Sequence, residues 1–332
     1  MKSPTKLGVI AAALAGIALA AYLIFHAGLG AIVTAVTSVG WGGFVILCTC
    51  TLALLVIMGS AWFVLIPGLK PSRAATFIWG RLIRDSASEV LPFSQFGGIL
   101  IGARAVVLRG VSPPVAFAST VVDVTTDMMA QIVFIVIGIS FLVMRLGSAS
   151  KTSRITATAA FGVVLAIAGS IAFILLQRRG RRLAERLAGR WLPRTVKQVE
   201  PFVRAIEAIY DSPARLAVST AVHLVGWLAS AVVTLIAVRL IGGKIDLISV
   251  IAIDSIVSAL RSTAIFVPAA LGVQEAGYAM LMPLFGLPAE IGLALSLLKR
   301  AREIATGLPA LLLWQAMEGR RALGHNVQLL EP

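Results

Sequence analysis

Six long apolar runs divide the chain, and each is long enough to cross a membrane as a helix. A helix rises about 1.5 Å per residue, so a hydrocarbon core of about 30 Å requires about 20 residues. We interpret the first run as a retained helix and not as a signal peptide, because further apolar runs follow it. The pattern predicts an all-α polytopic membrane protein with transmembrane helices at residues 7–25, 43–66, 115–144, 155–176, 216–240 and 289–314.

Two further regions, residues 74–108 and 247–285, each contain two helical patterns separated by a Pro/Gly interruption. The interruption reads LPFSQFGG around Pro92 and VPAALGVQ around Pro268, so the two regions look like copies of each other. Non-helical backbone at membrane depth is tolerated only inside protein or beside a watery cavity. We therefore predict two re-entrant helical hairpins. The first helical pattern of the second region is long enough to span alone, so a spanning arrangement stays open there.

Positive charge indicates the orientation of the chain. With a cytoplasmic N-terminus, 18 Lys and Arg residues fall on the cytoplasmic side and 5 on the other side. The two hairpins then enter from opposite faces, which predicts an inverted repeat of the kind found in secondary transporters. We expect one membrane transport domain, made of residues 1–42 (first helix and loop), 43–144 (repeat 1), 145–215 (helix and basic connector), 216–316 (repeat 2) and 317–332 (cytoplasmic tail).

The composition supports a membrane protein, since 58% of the residues are hydrophobic and only 13% are charged. The net charge of +14 does not indicate nucleic-acid binding, because the basic residues lie where membrane topology places them. Ten of them fall in residues 178–215. Apolar residues at helical spacing, such as Leu183, Leu187 and Trp191, accompany them. This connector is either a helix that binds anionic lipid or simply a positive-inside signal.

Charged residues inside membrane spans are costly and usually functional. Arg81 and Asp85 are four residues apart and Arg300 and Glu303 three apart, so each pair shares a helix face. These charges either form internal ion pairs that hold the halves together or line a cavity for a lipid headgroup. The candidate substrate-binding or gating residues are Arg81, Arg84, Asp85, Glu89, Pro92, Gly97, Gly98, Arg104, Asp123, Asp127, Asp254, Arg261, Pro268, Gly272, Glu275, Arg300 and Glu303.

Three interpretations compete for Asp123 and Asp127, which share one helix face. They could bind Mg²⁺ and a lipid diphosphate, as in a membrane prenyl or glycosyl transferase. They could form a proton-coupling pair, because close carboxylates raise each other's pKa. They could also pair with arginines across the bundle. The enzyme hypothesis requires a second Asp-rich motif, and the sequence contains none. We predict no catalytic residue, no metal and no cofactor.

Glu275 opens the last half-helix of the second hairpin, three residues after Gly272. It is interpreted either as a cap of the helix N-terminus or as a substrate or gating contact near mid-membrane. The three histidines form no Ser–His–Asp or Cys–His arrangement, and His223 stands alone in a span. If the hairpins are opposed, Gly97 and Gly98 should lie with Gly272 and Glu275 close to one cavity near the midplane.

Both interrupted segments resemble signatures of the lysylphosphatidylglycerol synthase transmembrane (flippase-like) family, whose second motif typically reads Pro–Gly–Gly–Leu–Gly–x–x–Glu. The resemblance covers most of the chain. Ala269 and Ala270 replace the glycine pair, and alanine tolerates positive φ poorly, which leaves room for a different loop conformation and substrate. The matching positions are Pro268, Leu271, Gly272 and Glu275 in the second motif, and Pro92, Gly97, Gly98 and Arg104 in the first.

The resemblance implies lipid translocation between the leaflets of a bacterial inner membrane, with both termini cytoplasmic. Within the family, the sequence looks most similar to a hopanoid-associated branch, which implies transport of a hopanoid; a phospholipid is the alternative. The partners implied are membrane lipids, with anionic lipid at the connector. A non-catalytic scaffold, whose basic connector recruits other proteins, is the remaining alternative.

Overall fold

The computed structural model describes residues 29–90, 94–146, 164, 193–263, 270 and 272–328. All regular secondary structure in these residues is helical, with short 3-10 turns at Pro71–Arg73 and Met282–Phe285. The α-helices described are α1 (Leu29–Val64), α2 (Ala74–Val90), α3 (Ser94–Val107), α4 (Pro113–Leu146), α5 (Pro193–Tyr210), α6 (Pro213–Leu240), α7 (Leu247–Thr263), α8 (Val273–Leu281) and α9 (Ala289–Gln328).

Three of the described helices are long and apolar enough to cross a membrane: Thr37–Val64 in α1, Pro113–Arg145 in α4 and Pro213–Leu240 in α6. They confirm the predicted spans at residues 43–66, 115–144 and 216–240. The structure adds a break in α1 at Gly40, whose φ of 75° is not helical. Two other predicted spans, 7–25 and 155–176, lie outside the described residues.

The sixth predicted span, residues 289–314, forms the first part of α9. This helix has 40 residues and is therefore about 60 Å long, twice the thickness of a hydrocarbon core. It is not one of the helices in the described residues that are apolar enough over a sufficient length to cross a membrane. The charged run from Lys299 to Glu303 lies in its first half, where Lys299 and Arg300 are buried against acidic partners from other helices.

The two interrupted regions form pairs of shorter helices. In the first pair, α2 has 17 residues and α3 has 14, so they are about 25 Å and about 21 Å long. In the second pair, α7 has 17 residues and α8 has 9, which gives about 25 Å and about 13 Å. Pro92 and Pro268 fall between the members of these pairs and outside the described residues.

The pairs of short helices lie among the long ones. Helix α2 packs against α1, α3 and α9, whereas α7 packs against α4, α6 and α8. Aromatic contacts fix one end of this arrangement: Trp62 meets Phe77 edge-to-face at 5.6 Å between ring centroids. The Trp62 indole also donates to Ser119 Oγ at 3.0 Å, so a buried polar atom of α1 is satisfied by α4.

Helix α5 is the described part of the basic connector, and it packs against α4. Ile206 and Ile209 are its buried apolar residues, and Ile209 joins the cluster that contains Trp62 and Phe77. The end of the connector thus docks on the protein core. The apolar residues Leu183, Leu187 and Trp191, on which the anionic-lipid interpretation of the connector depends, lie outside the described residues.

Glycines allow α3 to approach α2 closely. A Cβ atom added to Gly98 would stand 2.6 Å from the Arg84 carbonyl oxygen and overlap the Ser88 hydroxyl. One added to Gly102, a turn further along, would stand 2.6 Å from Arg84 Cβ. Spacing of small residues at i and i+4 lets helix backbones approach within a membrane. Gly98 therefore has a packing role that the motif alone does not show.

We expect Gly98→Ala to lower the free energy of unfolding by about 1–3 kcal/mol, because the added methyl group overpacks a backbone contact. Thermal unfolding of the purified protein in detergent measures the effect. Gly42→Ala is the matched control, since no atom lies within 4 Å of a Cβ there. Equal unfolding midpoints for the two variants would contradict the close approach of α3 to α2.

Candidate functional site

A first group of buried charges joins α2 to α4, and we call it the arginine–aspartate cluster. Arg84 Nη1 contacts Asp123 Oδ2 at 2.6 Å, and Arg81 Nη2 contacts Asp127 Oδ2 at 3.0 Å. Arg81 Nε also contacts Asp85 Oδ2 at 2.6 Å, which is the pair expected from their spacing. Arg81, Arg84 and Asp123 are buried, while Asp85 is about one-third exposed. The cluster contains five of the candidate residues.

Helix α6 closes this cluster with residues that sequence analysis missed. His223 is fully buried, and its Nε2 stands 3.0 Å from Asp123 Oδ1. The Trp227 indole donates to Asp127 Oδ1 at 3.0 Å. A signal existed: His223 and Trp227 are four residues apart, like Asp123 and Asp127, so each pair presents one helix face. What the sequence could not supply was the contact between the two helices.

The cluster bears on the three interpretations of Asp123 and Asp127. Both carboxylates face arginine side chains from α2 and ring nitrogens from α6. This is the arrangement expected of pairing across the bundle. Within the described residues, no group of three or more His, Cys, Asp or Glu side chains is placed to hold a metal ion.

A second group, the lysine–aspartate cluster, lies among α6, α7, α8 and α9. Lys299 Nζ contacts Asp254 Oδ1 at 2.7 Å, and the Tyr278 hydroxyl hydrogen-bonds with both of these side chains. The Thr234 hydroxyl donates to Asp254 Oδ2 at 3.2 Å. All four residues are buried, so each of the four helices contributes one polar group to a shared buried network.

A third group connects the two pairs of short helices, and we call it the tip network. Arg261, near the end of α7, contacts Glu89, near the end of α2, at 2.7 Å between Nη2 and Oε1. Its Nη1 donates to Gln274 Oε1 and stands 3.8 Å from Glu303 Oε1. Gln274 in turn donates to Ser296 Oγ at 2.9 Å. Four helices thus meet at one partly exposed guanidinium group.

Glu275 carries out one of the two roles weighed for it and adds a second contact. Its Oε2 accepts a hydrogen bond from the Gly272 backbone N–H at 2.8 Å, which caps α8. Its Oε1 contacts Arg300 Nε at 2.5 Å, so the cap is also tied to α9. Gly272 has a φ of 80°, and Ala270 has a φ of 45°. Ala270 therefore adopts the left-handed conformation that the family's glycine suits better.

The remaining candidates are dispersed. Arg104 lies outside these clusters and pairs with Glu318 of α9 at 2.8 Å, where both side chains are partly exposed. Gly97 is half-buried and Gly98 is buried against α2. Pro92 and Pro268 lie outside the described residues. The residues that were not among the candidates but that the structure places in the clusters are His223, Trp227, Thr234, Gln274, Tyr278, Ser296 and Lys299.

A lateral groove of about 640 Å³ lies between α4 and α6. Its wall is mainly apolar, with Val122, Met129 and Leu224 among the lining residues. Thr126 also lines it, and its hydroxyl group lies 3.1 Å from Ser219 Oγ, which connects the two helices beneath the groove. Along α4, Val122 and Thr126 line the groove, and each is followed directly by an aspartate of the arginine–aspartate cluster, Asp123 or Asp127. The groove therefore runs beside that cluster.

We expect Lys299→Met to lower the free energy of unfolding by about 3–5 kcal/mol, because it leaves the Asp254 carboxylate buried without a cation. Adding Asp254→Asn should recover at least half of the loss, since the charge itself is then removed. Thermal or denaturant unfolding in detergent measures both. Arg145→Ala is the control, because the exposed Arg145–Asp246 pair contributes less than about 1 kcal/mol. A double variant no more stable than Lys299→Met would argue against this account.

Comparison with known proteins agrees with the motif analysis. A profile of the family described as the lysylphosphatidylglycerol synthase TM region matches residues 9–310. Comparisons with curated proteins and with solved structures gave no match. The matched range includes all three clusters and both interrupted segments. The chain belongs to the lysylphosphatidylglycerol synthase transmembrane family.

Proposed function

We propose that this protein moves an amphipathic lipid between the leaflets of a bacterial inner membrane, without catalysing a chemical change in it. The observation that carries the proposal is the tip network, in which Arg261 and Glu89 join the two pairs of short helices. A polar lipid headgroup can approach a partly exposed guanidinium held by two carboxylates. It can then replace those carboxylates as the hydrogen-bond acceptor of the guanidinium. The family match supports a role related to membrane lipid.

The packing of the helices supports the inverted repeat on which this mechanism depends. If α1 to α4 are exchanged with α6 to α9 in order, neighbouring helices remain neighbours. Helix α2 packs against α9 as α7 packs against α4, and α1 packs against α9 as α6 packs against α4. Helices α1 and α6 pack against each other. Such an exchange is expected of two related halves around a central site.

The buried charges occupy matching positions in these halves. Arg81 and Asp254 each follow the first residue of their helix, α2 or α7, by seven residues. Asp123 and Lys299 each follow the first residue of theirs, α4 or α9, by ten. The residues meet in pairs, Arg81 with Asp123 at 3.7 Å and Asp254 with Lys299 at 2.7 Å. In the first half the base lies on the short helix and the acid on the long helix. In the second half the acid lies on the short helix and the base on the long helix, at the same positions along the helices.

The shortness of α2, α3, α7 and α8 supports re-entrant hairpins, since each falls below the roughly 30 Å of a hydrocarbon core. In this proposal both termini are cytoplasmic, the hairpins enter from opposite faces, and the connector at residues 177–215 binds anionic lipid. The headgroup passes through the charged interior while the tail stays in the bilayer. The apolar groove between α4 and α6 offers the tail a lateral path beside that interior.

We propose a hopanoid as the lipid, following the resemblance to the hopanoid-associated branch, with a phospholipid as the alternative. Lipids that copurify with the full chain from a hopanoid-producing bacterium, measured by mass spectrometry, test this choice. Enrichment of a hopanoid over its share of the membrane, by about fivefold or more, is the expected result. Enrichment of one phospholipid class instead would redirect the assignment without removing lipid transport.

We expect Arg261→Ala to reduce lipid transfer between leaflets of reconstituted vesicles by at least about tenfold, which corresponds to roughly 1.4 kcal/mol in the barrier. The reason is that Glu89 and Glu303 lose the cation that joins the hairpins and meets the headgroup. Arg145→Ala is the matched control, because it removes an arginine from an exposed pair with Asp246, the residue before α7. Wild-type transfer by a folded Arg261→Ala variant would refute the site.

A further inference from the structure

The ring of His223 is surrounded by acceptors. Its Nε2 stands 3.0 Å from Asp123 Oδ1, and its Nδ1 stands 3.2 Å from Met58 Sδ and 3.6 Å from Asp127 Oδ1. A neutral imidazole has one donor and one acceptor nitrogen, so in either tautomer one lone pair faces another acceptor. An imidazolium ion has two donors and satisfies both sides. The geometry therefore fits the protonated ring.

Charge counting agrees with this geometry when Asp85, which is about one-third exposed, is counted with the buried groups. The arginine–aspartate cluster contains two guanidinium groups, Arg81 and Arg84, and three carboxylates, Asp85, Asp123 and Asp127. Arginine stays protonated in proteins, so the cluster carries one excess negative charge if the carboxylates are ionised. A proton on His223 brings the sum to zero. Net charge buried in a membrane interior is costly, which favours the neutral sum.

The charged and polar groups closest to His223 come from three other helices. Helices α2 and α4 supply the two guanidinium groups and the three carboxylates, and α1 supplies the Met58 thioether. Thr234 lies further along α6, eleven residues after His223. There its hydroxyl contacts Asp254 of α7, which also contacts Tyr278 and Lys299. Glu207 and Asp211, at the end of α5, precede His223 by at least twelve residues along the chain.

We propose that His223 is a proton-binding site at the interface between the two halves of the protein, and that release of this proton is coupled to lipid movement. His223 belongs to α6 in the second half, whereas its acidic partners belong to α4 in the first. On release, the proton passes from the imidazolium to water, and the excess negative charge is left between the halves. The coupling to lipid rests on the proposed function; the proton site does not.

The proton is tested directly by nitrogen NMR of the full chain, labelled with ¹⁵N-histidine and reconstituted in lipid. The chain has three histidines, so His26→Gln and His325→Gln leave His223 as the only signal. Spectra are recorded as a pH series, and we expect both ring nitrogens to be protonated at its acidic end and one of them to have lost its proton at its basic end. A ring that is neutral throughout this range overturns the proposal.

The coupling is tested by following the unfolding temperature and the lipid transfer rate over the same pH range. For the wild type, the unfolding temperature should fall as the pH rises, and the transfer rate should change by about fivefold or more. Both should become nearly independent of pH in His223→Gln, while His26→Gln should behave as the wild type. If His223→Gln does not fold, His223→Lys, which keeps a positive charge, should fold and show the same flat profiles.

The outcomes separate the two proposals. A protonated His223 with pH-independent lipid transfer overturns the coupling and leaves the proposed function intact. A protonated His223 in a protein that transfers no lipid at any pH refutes the proposed function and upholds the proton site.

Discussion

Charge buried inside the protein is the constraint on which the rest of this structure depends. Arg84 and Asp123, or Asp254 and Lys299, are tolerable in the buried interior only in contact with each other. Because each pair joins two helices, the pairs fix how those helices are rotated and how far they slide. A shift of one residue would separate such a pair and leave a buried charge without its partner, which costs about 3–5 kcal/mol.

Close packing is what brings these charges within reach of each other. The glycines of α3 admit α2 at backbone distance, and the side chains of Arg81 and Arg84 then extend from α2 towards α4. On the other side, Tyr278 lies beside the contact between Asp254 and Lys299 and hydrogen-bonds with both. Apolar packing thus sets the distances, and electrostatics selects the one register in which every buried charge has a partner.

The sequence predicts those parts of the fold and the site that depend on local spacing. Three apolar spans follow from run length, the Arg81–Asp85 pair from a separation of four, and the cap at Glu275 from its place after Gly272. The family follows from the two interrupted segments. His223 was missed because its partner Asp123 is 100 residues away, on a helix whose neighbours hydropathy cannot identify. Tyr278 and Gln274 look like ordinary interior residues until α7 and α9 are placed beside them.

The exchange of signs between the halves has a consequence for how they could work. If the pairs Arg81–Asp123 and Asp254–Lys299 were identical in sign, the two halves would attract the same ions and could move in the same way. With the signs exchanged, the first half places acids on its long helix and the second half a base at the matching position. The acids of the first half meet His223, the side chain to which our proposal assigns a proton. In our proposal a proton therefore acts on one half alone, and it acts where α6 of the other half closes against it. The two halves are otherwise symmetric, and the proton makes them inequivalent. Directional movement of a lipid requires such an inequivalence.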